Sequence, residues 1–380
     1  LVNRILFVVD NLDSLGPAAV CWETIREASA GCAEVHLAIL EGQVDAGWVS
    51  PDGKVYRCIS LQEPSASRRA AEEQKFSLDH LWRLSRRLRA LIAELAPQTV
   101  YAWSLRAALV TAQLNLSGGG LIRPRPRFCY RESFSWPRLS SRCGYLLRRG
   151  SRIFDQVLVT HPSIGQFLGS YGYRERISLT PVRWQRDVEF EENGPQGLEQ
   201  TRLELRQSLN LPAKSIVVAS VAPLIAATRL KDLVWAAGLL TVVYDDFHLV
   251  LCGEGPQRSR LERFAEITGA GENVHVLHPA DFPQRMLAAI DCYWHSHLLE
   301  PLSANLLQAM QLERPVIAVY GAGTGEIIRH QQTGLGTRLG GRDEFARWTK
   351  YLIEQPAARQ QLVEQGRQFI ESHFVGPTGS

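Results

Sequence analysis

An alternation in the carboxy-terminal half narrows the fold more than any other feature. Short apolar runs recur at residues 216–221, 248–252, 274–277, 292–295 and 315–320, with helical spacing between them at 230–242, 257–268 and 306–312. A chain that alternates strand and helix in this way winds a parallel sheet buried on both faces. Loop chemistry follows the runs: Gly253-Glu254-Gly255-Pro256 after the second, Glu300-Pro301-Leu302-Ser303 after the fourth, and Gly321 and Gly323 after the fifth. In a doubly wound sheet such loops lie at the carboxyl ends of the strands, where ligands bind. The following helix presents free backbone N–H groups that suit a phosphate.

The amino-terminal half reads as a second α/β domain. Residues 4–10 form an apolar run, 11–16 a turn, 18–29 a helical stretch and 35–40 another strand, which together make a βαβ unit. Further strands are expected at 99–103, with helix 105–116 behind it, at 127–131, ending in Glu132-Ser133, and at 156–160, ending at His161. The loop at 11–16 keeps Gly16 but lacks the Gly-x-Gly-x-x-Gly turn, which argues against dinucleotide binding. With 380 residues the chain exceeds one compact domain, and a hydrophobic content of 45% suffices for two cores. The stretch 188–200, VEFEENGPQGLEQ, is acidic and carries Gly and Pro. It reads as a linker between domains 1–187 and 201–380, with a helix over 201–209 after it.

From 211 to 375 the chain resembles the donor half of the group 1 (family 4-like) retaining glycosyltransferases of the GT-B superfamily. Their signature is Glu-Gly/Pro-Phe-Gly, four residues, then a second Glu before Ala-Met; here it stands as Glu300-Pro301-Leu302-Ser303 through Gln308-Ala309-Met310. The Gly-Glu-Gly-Pro segment at 253–256 and Thr333-Gly334-Leu335 also match. The resemblance implies an α/β GT-B fold, two Rossmann-like domains with parallel sheets facing across a cleft. It further implies a hexosyltransferase-type reaction that moves a sugar from a nucleotide-sugar donor, with retention of configuration and without a metal or bound cofactor. Glu300 would orient the sugar. Backbone N–H groups at Ser303, Ala304 and Asn305, in the loop shared with Pro301 and Leu302, would take the distal phosphate. Gln308, an amide in place of the second acid, would meet the ribose. Gly253 and Glu254 would line the donor pocket. No protein base is needed if the donor's own phosphate accepts the acceptor proton.

Several positions depart from that pattern. Pro223 and Thr228 replace the Arg and Lys that neutralise the donor's diphosphate, leaving Arg229 and Lys231 either as substitutes or as an ordinary solvated helix start. On the acceptor side, the residues to watch are Gly16, Trp103, Glu132, Ser133 and His161. Trp103 and Ser133 stand where the family commonly has His, and read as cleft groups or as a core aromatic and a loop hydroxyl. His161 reads as a cleft residue or a cap. These departures support a rival expectation from another class, a glycosyltransferase-like protein that binds sugar or acts as a scaffold without catalysis. The retained Glu300 and its spacing oppose it.

The acceptor class stays open: a glycan, a lipid-linked molecule or a small molecule. Net charge is +3 and no aromatic-basic stripe is present, so nucleic acid is not an expected partner. Seven scattered cysteines, with no Cys-x-x-Cys pair, read as reduced thiols in a cytoplasmic protein. No run is long enough to span a bilayer. Residues 78–95, LDHLWRLSRRLRALIAEL, form a basic amphipathic helix that either lies on anionic lipid at the inner face of the membrane or packs its apolar stripe on the sheet. Residues 123–152 are unusually rich in arginine, fitting either an acidic acceptor or a solvated surface.

Overall fold

The computed structural model describes residues 4–9, 34–40, 57–61, 78–115, 124–132, 139, 141–180, 194–282, 284–299, 303–321 and 323–374. They fall into two compact units, one holding the described residues up to 180 and the other those from 194 onward.

In the amino-terminal unit, seven strands form one parallel sheet: β1 (Arg4–Val9), β2 (Glu34–Ile39), β3 (Arg57–Ser60), β4 (Thr99–Trp103), β5 (Arg127–Glu132), β6 (Gln156–Val159) and β7 (Ile177–Leu179). Their order is β3-β2-β1-β4-β5-β6-β7. The described helices are α1 (Leu78–Leu95), α2 (Leu105–Ala112), α3 (Ser141–Gly150) and α4 (Pro162–Leu168). The 3.6-residue spacing of Leu81, Leu84, Leu88, Leu91, Ile92 and Leu95 puts them on one side of α1. That side is buried in the core with Leu6, Val8, Val100, Phe128 and Tyr130. The apolar stripe of the basic helix is therefore spent inside the domain. All eight residues of α2 are buried, and the helix packs against both α1 and α3. Its contact with α3 is so close that a Cβ on Gly150 would lie 2.1 Å from the Ala112 Cβ.

The carboxy-terminal unit runs α5 (Gly194–Ser208), β8 (Ile216–Val221), α6 (Leu230–Thr241), β9 (Phe247–Cys252), α7 (Arg258–Ile267), β10 (Val274–Leu277), β11 (Cys292–His295), α8 (Ala304–Gln311), β12 (Val316–Val319), α9 (Thr324–Ile327), β13 (Leu335–Thr337), α10 (Arg342–Glu354) and α11 (Pro356–His373). The six strands are parallel in the order β10-β9-β8-β11-β12-β13. Runs such as FHLVLC in β9 are buried at every residue, as a sheet covered on both faces requires.

Helix α5 begins at Gly194, so it takes in residues 194–200 of the expected linker. It is pinned by a buried charge. Arg206 donates from Nη2 to Asp291 Oδ2 and to the Ser215 carbonyl, both at 2.8 Å, and from Nη1 to the Ala289 carbonyl at 3.1 Å. Asp291 also accepts from the Val217 N–H and from Arg202, each at 2.8 Å. Burial pulls the Arg206 pKa below its ordinary value, and the Asp291 carboxylate opposes that pull.

Candidate functional site

Both sheets reverse their winding once. From β8 the chain steps outward through β9 to β10, and then returns to β11 on the other side of β8. The crevice outside the carboxyl ends of β8 and β11 is the topological switch point, where open α/β sheets bind ligands. In the amino-terminal unit the equivalent point lies between β1 and β4.

Around the carboxy-terminal switch point, the loops after β8 and β9 are tied together by backbone. Ala222 N–H donates to the Cys252 carbonyl at 3.0 Å, Leu224 N–H to the Glu254 carbonyl at 2.7 Å, and Gln257 N–H back to the Leu224 carbonyl at 2.9 Å. This interlock explains the glycines at 253 and 255. A Cβ at Gly253 would sit 2.0 Å from the Ala222 carbonyl oxygen, and one at Gly255 2.5 Å from that of Leu224. No side chain fits at either place. The Glu254 carboxylate pairs with His278 Nε2 at the rim.

Thr228, standing at the expected position of a donor-binding cation, is buried and structural. Its hydroxyl lies 2.8 Å from the Pro223 carbonyl and 2.7 Å from that of Ile225, closing the loop on itself. Its own carbonyl accepts from Ser296 Oγ at 2.6 Å, which joins the β8 loop to the end of β11. Arg229 follows in the left-handed region, at φ 56° and ψ 28°, and heads α6. Its Nε and Nη2 reach Asp232 Oδ2 at 2.7 and 2.6 Å. Asp232, nearly buried, also accepts from Arg342 Nε at 2.7 Å. Two cations thus share one carboxylate where α6 and α10 begin. Lys231 points elsewhere: its ammonium lies 5.3 Å from the centre of the Phe264 ring on α7. That helix serves the β10 side of the sheet, away from β11.

His295 ends β11, and Ser296 and His297 follow it, all three buried. The two imidazoles pack with ring centres 4.2 Å apart. Burial pushes the His295 pKa down to about 4 and that of His297 well below the usual histidine value, so both rings are neutral near pH 7. Ser303, Asn305 and Gln308 are buried around the first turns of α8. Ser303 stands at the N-cap without a side-chain cap bond, and its hydroxyl has no protein partner. A helix start leaves its first N–H groups unpaired within the helix, which suits the expected role of Ser303, Ala304 and Asn305. Glu300, Pro301 and Leu302 lie outside the described residues.

In the amino-terminal unit, Trp103 ends β4 beside the switch point and is buried. Its register partner Arg131 lays its guanidinium 4.6 Å from the indole centre. Buried Glu132 accepts from Tyr130 Oη at 2.8 Å. His161 caps α4: Nδ1 accepts the Ser163 N–H at 3.2 Å and lies 2.8 Å from Ser163 Oγ. Gly16 and Ser133 lie outside the described residues. Sequence reasoning missed Arg342 and Asp232, whose pairing spans 110 residues, and passed over the His-Ser-His run, which stands in plain view before Glu300.

Comparison with known proteins agrees with this architecture. Residues 201–369 match the family model of the group 1 glycosyl transferases. The lipopolysaccharide core biosynthesis glycosyltransferase LpsE of Rhizobium meliloti (strain 1021) is 27% identical over 203 residues, a match covering 53% of this chain and 58% of LpsE. Among solved structures, Anabaena HepE in complex with UDP and glucose covers 98% of this chain and 95% of its own, with a TM-score of 0.73 at 18% identity. WaaG, a glycosyltransferase involved in lipopolysaccharide biosynthesis, covers 97% and 95%, with a TM-score of 0.69 at 16% identity. The fold is that of the GT-B proteins, two parallel-sheet domains. The likeness to the group 1 glycosyl transferases is carried by residues 201–369, the carboxy-terminal unit.

Proposed function

We propose that the chain transfers a hexosyl group from a nucleotide-sugar donor to a glycan, lipid-linked or small-molecule acceptor, with retention of configuration and no metal. The observation that carries this reading is the switch-point crevice of the carboxy-terminal unit. There the β8 loop is bonded both to the Gly-Glu-Gly segment and to Ser296, which follows β11 and stands four residues before Glu300 in the sequence. HepE, similar in fold, was solved with UDP and glucose, and this supports a nucleoside diphosphate as the donor's leaving group.

In the proposed reaction the bond from the sugar's anomeric carbon to the diphosphate oxygen breaks, and a bond to the acceptor oxygen forms on the same face. The acceptor's proton passes to the departing phosphate. Glu300 orients the sugar, the N–H groups of Ser303, Ala304 and Asn305 meet the distal phosphate, and Gln308 meets the ribose. Of the two candidate cations Arg229 is assigned to the diphosphate, because the Lys231 ammonium lies over Phe264 on α7, while Trp103, Glu132 and His161 shape the acceptor side. The same reading puts the protein in the cytoplasm, with peripheral contact at the inner face of the membrane as the alternative placement.

One observation favours a second reading, a sugar-binding protein without catalysis: Thr228 is consumed inside its loop and Arg229 is engaged by Asp232. A thermal-shift screen with nucleoside diphosphates and nucleotide sugars, followed by a donor-hydrolysis assay on any hit, separates the two. Stabilisation with turnover supports transfer, and stabilisation without turnover supports the binding protein. No stabilisation by any nucleotide or nucleotide sugar sinks the transfer reading and leaves the sugar-binding or scaffolding one.

A further inference from the structure

Two arginines stand at helix starts, where a cation is disfavoured. Arg229 heads α6 and Arg342 opens α10, and the amino end of a helix carries positive partial charge that suits anions. Among the described residues, Asp232 is the one carboxylate ion-paired with them: Oδ2 accepts from Arg229 and Oδ1 from Arg342. The other two acids in the first turn of α10, Asp343 and Glu344, act on Arg338. Asp232 therefore balances one of the two charges. Positions that break a local rule in this way mark functional sites.

Packing fixes the group and leaves its cations open to solvent. The Asp232 side chain is 7% exposed, while those of Arg229 and Arg342 are 39% and 46% exposed. The loop into α10 makes room for Arg229 with Gly340, at φ 83°, where a Cβ would lie 2.9 Å from Nη2. Arg342 uses only Nε on Asp232, and its guanidinium lies 6.0 Å from the centre of the Trp235 ring. Among the described residues its two Nη groups have no hydrogen-bond partner. That planar fork matches two oxygens of a phosphate.

The group also flanks the crevice. Thr228, next before Arg229, is bonded through its carbonyl to Ser296 after β11. Helix α10 lies on β11, with Phe345 against Trp294 and Thr349 Oγ1 accepting from Trp294 Nε1 at 3.0 Å. It starts from the loop beyond the carboxyl end of β13, so Arg342, about two turns before Thr349, lies about 10 Å nearer the carboxyl ends of the strands. From β8 and from β11 the chain steps in opposite directions, so right-handed crossovers put α6 and α8 on opposite faces of the sheet. A ligand lying across the ends of β8 and β11 has the start of α8 on one side and the two arginines on the other.

We propose that Arg342 and Arg229, bridged by Asp232, clamp the distal phosphate of the leaving nucleoside diphosphate against the start of α8. They supply the charge that Pro223 and Thr228 do not. Arg342 is the principal cation, because its fork is open while Arg229 uses Nε and Nη2 on Asp232. A terminal phosphate presents three oxygens, enough for N–H groups on one flank and guanidinium groups on the other. This assignment rests on the donor reading proposed above and adds to it a residue from α10, more than 100 residues along the chain from Arg229.

The test is calorimetric titration of the full chain with ADP, GDP, UDP and dTDP and with the matching monophosphates. The parent should bind at least one diphosphate more tightly than its monophosphate. For that pair, Arg342→Gln should weaken the diphosphate about tenfold and the monophosphate less than about twofold. Arg342→Lys, which keeps the charge but not the fork, should recover part of the loss. The monophosphate on the same variant is the control for folding, since a merely structural arginine would weaken both nucleotides alike. Equal weakening of the two, no weakening of either, or a parent that binds the two alike would overturn the clamp while leaving the donor site standing. Binding of none of the four diphosphates by the parent would instead remove the donor reading, and the clamp with it.

Discussion

Ser296 gives its hydroxyl hydrogen to the carbonyl of Thr228 at 2.6 Å, and this bond bridges the two strands whose connections diverge at the donor-side switch point. Both residues are buried, so neither atom has water to fall back on. Ser296→Ala should lower unfolding stability by about 1 to 3 kcal/mol, the cost of leaving a buried carbonyl unpaired. Urea denaturation checks the size, and a change below the scatter of repeated curves would make the bond incidental.

Thr228→Lys would restore a cation of the kind the family carries there, yet it should not improve nucleotide binding. The threonine is buried with its hydroxyl between two carbonyls, so an ammonium must break the loop's closure to reach solvent. Loss of thermal stability with no gain in UDP affinity is expected. Tighter binding at unchanged stability would mean that the loop opens freely.

Asp232 holds both Arg229 and Arg342, which makes their charges interdependent. Arg229→Ala should weaken nucleoside diphosphate binding by about 1 to 3 kcal/mol if its guanidinium meets phosphate. Lys231→Ala, with its ammonium over Phe264, should change binding little. Calorimetry on the two variants gives the order, and a larger loss at Lys231 would reverse the assignment.

Much of the winding was legible because fully buried parallel strands leave continuous apolar runs. Ile216–Val221, Val274–Leu277, Cys292–His295 and Thr99–Trp103 coincide with the expected runs. The strands β3, β7 and β13 were not foreseen; RCIS, ISL and LGT are each broken by a polar residue or glycine, so no continuous apolar run marks them. The early start of α5 was hidden because Gly and Pro at 194–197 look like linker chemistry. At the site, a motif could mark the Gly-Glu-Gly segment, but not its reason, which is the approach of a second loop. The sharing of Asp232 between Arg229 and Arg342 has no local signature at all.

Glu300→Gln should abolish sugar transfer while leaving UDP affinity within a few fold, because phosphates and ribose are assigned to other groups. Paired rate and binding measurements on the variant decide it. Transfer at the parent rate would remove Glu300 from the mechanism.

Four histidines make the carboxy-terminal unit acid-sensitive. His275 Nε2 lies 3.2 Å from His248 Nδ1, and His295 packs on His297. Burial lowers all four pKa values, to about 4 for His275 and His295, from an ordinary 6.5. A histidine depressed in the fold is neutral there, while the unfolded chain takes up its proton as pH falls below 6.5. Its stability contribution is thus complete above that value and is lost progressively between 6.5 and 4. For His295 alone the loss by pH 4 is about 3 kcal/mol. Denaturation midpoints should fall over that window, and His275→Gln with His248→Gln should flatten the fall. A midpoint constant from neutral pH down to 4 would show that these rings are not held neutral by burial.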